Sequence, residues 1–169
     1  VKCYLLDTNI ASAIWDELSQ FHHDAKIFFS HLDKNDRIFI SPIVIAEIKY
    51  GHKVHFNADE ERRHTIEKNM QCYEVMNIDR HTTEPYSMLR AALFMKYANK
   101  NSRNKVKGSK YPESLVNRIT SRELGIQEND IWNAAVAIQY DLIFVTEDRM
   151  RRLVEISHRL DIITWLASE

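Results

Sequence analysis

Glycine and proline are scarce in this chain, three of each in 169 residues. Flexible linkers draw on such residues, so none is expected; most of the chain should be regular structure in a single domain, 1–169, long enough to bury a substantial core. Cysteine is scarcer still. Cys3 falls in a prospective strand and Cys72 in a helical stretch, which reads as two reduced thiols and not as a disulfide framework. No apolar run is long enough to span a membrane and no signal peptide is visible before Asp7, so a cytoplasmic protein with no membrane partner is expected. Charge of one sign is also missing: 23 Lys and Arg against 24 Asp and Glu leave a formal net charge of −1. Any nucleic-acid binding must therefore come from a local patch. His52, His55 and His64 are scattered without metal-ligand spacing and read as surface residues, while the adjacent His22 and His23 would not face each other on a helix.

What the chain does have is a set of apolar runs that end at acids. Lys2-Cys3-Tyr4-Leu5-Leu6 suits a buried strand, stops at Asp7, and is followed by helical spacing through Ile10, Ala13, Ile14 and Leu18. Thr8 and Asn9 are able to cap that helix, and Asp7 at the strand end is either another cap or a ligand-facing acid. A second helix is expected over Phe21 to Leu32, then a strand at Arg37 to Ser41. Ser41-Pro42 opens a helix that should end at Gly51 as its C-cap. Within it Glu47 stands between Ala46 and Ile48, where a carboxylate must be paired, bound to a cation or turned to solvent.

An amphipathic helix is expected over Asn57 to Glu74, a strand at Val75 to Asp79, and a helix capped by Thr82 or Thr83 with Met88, Leu89, Ala92 and Met95 inward. The segment Asn99 to Tyr111 carries Lys100, Arg103, Lys105, Lys107 and Lys110 and no acid; it reads as a loop before a helical stretch, Pro112 to Leu124, that adds Arg118 and Arg122. Such a run is either solvated surface or a phosphate-contacting patch, with Lys105, Lys107 and Lys110 as its candidate contacts. Asn129 is the natural N-cap of the next helix, which puts Asp130 in its first turn. Leu142 to Thr146 is an apolar strand that again ends at acids, Glu147 and Asp148, before a helix through Leu153 to Ile156 and a strand at Asp161 to Trp165.

Alternation of strands and helices favours an α/β fold with a parallel sheet and helices on both faces. The strand ends at Asp7 and Asp148 then share one rim, and Glu47 and Asp130 are candidates to join them. Clustered acids repel one another unless a cation sits among them, and oxygen-only ligands select Mg²⁺ or Mn²⁺ over zinc. Hydrolysis of phosphodiesters is the chemistry such a centre serves.

Four stretches, Leu5-Leu6-Asp7-Thr8-Asn9, Ser41-Pro42-Ile43-Val44-Ile45-Ala46-Glu47, Asn129 to Ala137 and Val145-Thr146-Glu147-Asp148, resemble in order the acidic motifs of PIN-domain ribonucleases, and most nearly the VapC-type toxins of toxin–antitoxin pairs. The resemblance implies a PIN-like fold with a central parallel sheet of about five strands flanked by helices. It also implies a metal-dependent endoribonuclease (a hydrolase). Asp7, Glu47, Asp130 and Asp148 would be its catalytic, metal-binding acids, with Asn9 and Thr146 in support. The partners implied are an RNA substrate and a small antitoxin protein, with a homodimer left open. A phosphatase of the haloacid-dehalogenase type would need a second Asp where Asn9 stands. A catalytically silent PIN-like scaffold that binds RNA or protein is the alternative from outside the enzyme class.

Overall fold

In a computed structural model, residues 1–54, 59–98, 111–116, 122–146 and 150–165 are described. Five strands, β1 (Cys3–Leu6), β2 (Arg37–Ile40), β3 (Glu74–Val75), β4 (Ile143–Thr146) and β5 (Asp161–Thr164), form one sheet in the order β3-β2-β1-β4-β5. Every pairing is parallel. The helices between them are α1 (Thr8–Trp15), α2 (His22–Ser30), α3 (Pro42–Val54), α4 (Glu60–Met70), α5 (Thr83–Tyr97), α6 (Glu128–Tyr140) and α7 (Arg151–Val154).

Strand periodicity sorts the helices onto two faces. Leu5, Phe39 and Phe144 point to one side and pack with Leu89 and Leu93 of α5 and Ile131 and Ala134 of α6. Their neighbours Tyr4, Leu6, Ile40 and Val145 point to the other, against Ile10 and Trp15 of α1, Val44 and Ile48 of α3, and Ile66 and Met70 of α4. Each wholly buried Leu or Phe contributes about 1.5–3 kcal/mol, so the central strands are fixed from both sides. The topology follows from the connections. The chain runs from β1 outward to β2 and β3, then returns to β4 and β5 on the opposite side of β1. That makes β1 and β4 the point where the strand order reverses, and a crevice opens at their carboxyl ends.

Several expectations need correction. Gly51 does not end its helix; α3 continues to Val54. Leu18 lies beyond α1, which stops at Trp15 where Asp16 takes an extended conformation. α4 begins after an Asp59 cap whose side chain accepts from the Glu61 N–H, and β3 is only Glu74–Val75 at the sheet edge. α5 turns Pro85, Leu89, Leu93 and Tyr97 inward, a clean i, i+4 stripe, and leaves Met88 and Met95 49% and 61% exposed. Apolar side chains surround much of that helix, so spacing alone did not choose the face. The stretch expected to be helical after Pro112 is a 3₁₀ turn, Pro112–Ser114, followed by an isolated antiparallel bridge from Val116 to Glu123. No helix among the described residues is long and apolar enough to cross a membrane. Cys3 and Cys72 are both free thiols.

Candidate active site

Asp7 sits where β1 becomes α1. Its backbone N–H still donates to the Val145 carbonyl of β4 at 3.0 Å, while its side chain already caps α1 by accepting from the Thr8 N–H at 2.8 Å. The residue is therefore the cap itself, not Thr8 or Asn9, and it is 3% exposed. Its second oxygen accepts from the Thr146 hydroxyl at 2.6 Å. Thr146 ends β4 and is wholly buried, so the bond joins the two central strands at the crevice. Burial without these bonds would be costly for a carboxylate; with them Asp7 is locked in one rotamer.

Glu47 lies on α3, half-buried, and is reached from two directions. Thr8 donates its hydroxyl to one carboxylate oxygen, and Asn129 Nδ2 donates to the other at 2.8 Å. Thr8 thus links Asp7 to Glu47, its backbone N–H serving one and its hydroxyl the other. Sequence reasoning missed Thr8 in this role because a Thr after an Asp reads as a helix cap.

Asn129 is not the N-cap of α6. Gln127 is, and Asp130 at the third helical position accepts from the Gln127 N–H at 2.6 Å in a reciprocal capping box. The shift by two residues matters, because it releases the Asn129 amide to hold Glu47. A second tie between α3 and α6 lies beneath: the Ser41 hydroxyl donates to Asn133 Oδ1, both residues being wholly buried. Asn9, in the first turn of α1, is exposed.

Beside Asp130 the rim carries a second cluster. Tyr86 and Trp132 stack with ring centroids 3.8 Å apart, and Arg90 pairs with Glu128 at 2.8 Å. Burial pushes the Glu128 carboxyl above the ordinary carboxylate value.

Asp7 and Glu47 therefore come together at the carboxyl-end rim, connected through Thr8 and held by Thr146 and Asn129; Asp130 follows Asn129 in the first turn of α6 and caps Gln127. Asp148, Lys105, Lys107 and Lys110 lie outside the described residues, as do His55 and Arg118. Among the described residues no three His, Cys, Asp or Glu side chains stand close enough together to hold a metal ion. The donor chemistry at the rim is nonetheless all oxygen. It suits a hard divalent cation and not zinc.

A model of the PIN domain family matches residues 4–156. Among curated proteins none matches the chain. Solved structures do. A chain of the VapBC2 complex from Rickettsia felis, bound to a fragment of its promoter DNA, is 22% identical over 96% of this chain and 98% of that one, with a TM-score of 0.65. DNA-bound VapBC from Salmonella typhimurium gives 20% identity, coverage of 98% and 100%, and a TM-score of 0.60. FitAcB from Neisseria gonorrhoeae gives 15%, coverage of 96% and 97%, and a TM-score of 0.62. The likeness is one of fold, shared over nearly the full length of each chain. With the five-stranded parallel sheet and the family match over most of its length, this chain belongs to the PIN-domain family.

Proposed function

We propose that the chain is an endoribonuclease dependent on Mg²⁺ or Mn²⁺, folded as one PIN-like domain, and the toxin of a toxin–antitoxin pair whose small partner silences it. The observation that carries this reading is the placement of Asp7 and Glu47 at the β1/β4 switch point in a chain of the PIN family. Full-length likeness to toxin–antitoxin complexes supports the biological role. Asp7, Glu47, Asp130 and Asp148 would hold the ion. Such an ion, when bound, lowers the pKa of water and neutralises charge at the phosphorus centre. The chain's own part is orientation. Thr146 and the Thr8 N–H fix Asp7, and the Thr8 hydroxyl and Asn129 fix Glu47. Asn9 stands one residue beyond Thr8 in the same turn and is assigned a supporting role.

One observation favours a second reading, a silent scaffold: no metal-sized group of acids exists among the described residues. Purified protein decides between them. RNA cleavage that needs Mg²⁺ or Mn²⁺ and stops on chelation supports the nuclease; intact RNA under every divalent ion supports the scaffold. The expected silencer is a small protein encoded beside this one, and it should suppress cleavage at equimolar amounts.

Capture of RNA is assigned to the acid-free segment carrying Lys105, Lys107 and Lys110. Changing the three to Gln should weaken RNA binding and flatten its salt dependence by roughly 0.7 in log–log slope for each phosphate no longer neutralised. An unchanged slope returns the segment to plain surface.

A further inference from the structure

A cavity of about 290 Å³ opens directly beside Thr8 and Glu47 and runs between α1, α3 and α4. We propose that it receives one base of the RNA next to the cut phosphate, an inference that rests on the ribonuclease reading above. Its floor is apolar, from Ile48 and Ile66, each under a tenth exposed. Its far end is polar. There Asp16 accepts from Arg62 Nε at 2.8 Å and from a terminal guanidinium nitrogen as well. An apolar floor with charged and hydroxyl groups at its edge matches a heteroaromatic ring that carries donors and acceptors on its rim. The Arg62 side chain is 39% exposed, and its guanidinium keeps further donors and a face for stacking.

Gly51 lines this space. It stands inside α3, where glycine is a poor choice, yet a Cβ built on it meets no atom within 4 Å. Open space at Gly51, in the last turn of α3, leaves room for a planar ligand to lie against the backbone. His52, one residue on, is also turned inward: its side chain is 16% exposed and its Nδ1 is buried, 3.5 Å from Glu67 and without a hydrogen bond. It is therefore not the surface histidine that its spacing suggested.

The surroundings select RNA over a protein segment. The mouth continues into a basin lined by Lys49, Lys53, Arg63 and His64, against only Glu60 and Glu67. Such a fringe, with Lys49 and Lys53 beside the Arg63–Glu60 pair, favours phosphates on either side of a bound base. The cavity itself lies just below the usual ligand-pocket range of roughly 300–1,000 Å³. That is room for one ring system and too little for a helix about 10–12 Å across.

The test uses short single-stranded RNA of randomised sequence, cut by the full chain in Mg²⁺, with the ends sequenced. The best-cut sequence is then remade with an abasic sugar at each position around the cut. One such position should lower cleavage efficiency by roughly 5- to 100-fold in the wild type, the range of one stacked base. Gly51→Met, which fills the slot, should erase that penalty, and Gly51→Ala should reduce it. Both should melt no lower than wild type, because each removes a helical glycine. Equal cleavage of every abasic RNA by the wild type would overturn the inference while leaving the nuclease standing. So would a Gly51→Met chain that keeps the penalty. If that variant keeps it and loses the protein encoded by the adjoining reading frame, the cavity belongs to a peptide. No cleavage of any RNA by the wild type removes the nuclease reading and the inference together.

Discussion

Two carboxylates line the same cavity and are held in opposite ways. Asp16 meets the Arg62 guanidinium through two hydrogen bonds, and the pair is locally neutral. Glu47, at the rim end, accepts only from a hydroxyl and an amide among the described residues. Neutral donors fix a carboxylate's position without cancelling its charge. Asp16 is thus matched by a cation inside the protein, whereas Glu47 is positioned by neutral donors among the described residues. Asp7 accepts from the Thr8 N–H and the Thr146 hydroxyl. On the proposed reading, the contrast separates acids that serve the fold from acids that serve a cation brought from outside.

The contrast breaks most sharply if the charge at the rim is removed while its shape is kept. Asp7→Asn and Asp130→Asn should each lower cleavage by about a hundredfold or more, the scale of deleting one electrostatic stabiliser of a reacting centre. Asn caps a helix as well as Asp, and mutual repulsion is relieved, so melting without metal should be no lower than wild type. Cleavage at the wild-type rate by either variant, under matched Mg²⁺, removes that residue from the site.

A smaller effect is expected when the charge stays and its aim is lost. Thr146→Val deletes the hydroxyl that donates to Asp7 and should cost about 10- to 100-fold in activity or metal affinity, as losing a bond that orients a ligand does. Thr146→Ser should restore most of it. Equal losses in Val and Ser would show that packing in the buried position matters and the hydrogen bond does not.

The sheet and the rim were legible in the sequence because they rest on coarse signals. Three apolar runs, at Leu5, Phe39 and Phe144, each needed two covered faces, and alternation with helices fixed their direction. What stayed hidden depends on single residues whose sequence signal points two ways. Gln127 and Asn129 both stand at the start of α6; only the Asp130 capping box decides that Gln127 is the cap and that Asn129 is released to hold Glu47. Gly51 carries a helix-stop signal, yet α3 passes through it because Lys53 and Val54 continue the turn. The pairing of Asp16 with Arg62 spans 46 positions and leaves no local trace at all.

That pair supplies the gentlest test of the contrast, because Arg62→Met should disturb stability and leave the rim acids aimed. The Arg62 side chain is 39% exposed and Asp16 15%, so solvent screens part of the attraction. A loss of about 1 kcal/mol is expected at neutral pH, or roughly 2–4 °C in Tm for a chain of this size. The hydrogen bonds from Arg62 hold the Asp16 carboxyl below its ordinary value of 3.8. A carboxyl depressed in the folded state stabilises fully above that ordinary value, and the contribution fades as pH falls through the lower folded one. The wild-type advantage over Arg62→Met should therefore be constant near neutrality and shrink in acid below about pH 4. An advantage that persisted undiminished at the lowest pH would trace to packing of the Arg62 stem against the cavity wall instead. Charge pairing would then not be what distinguishes Asp16 from Glu47.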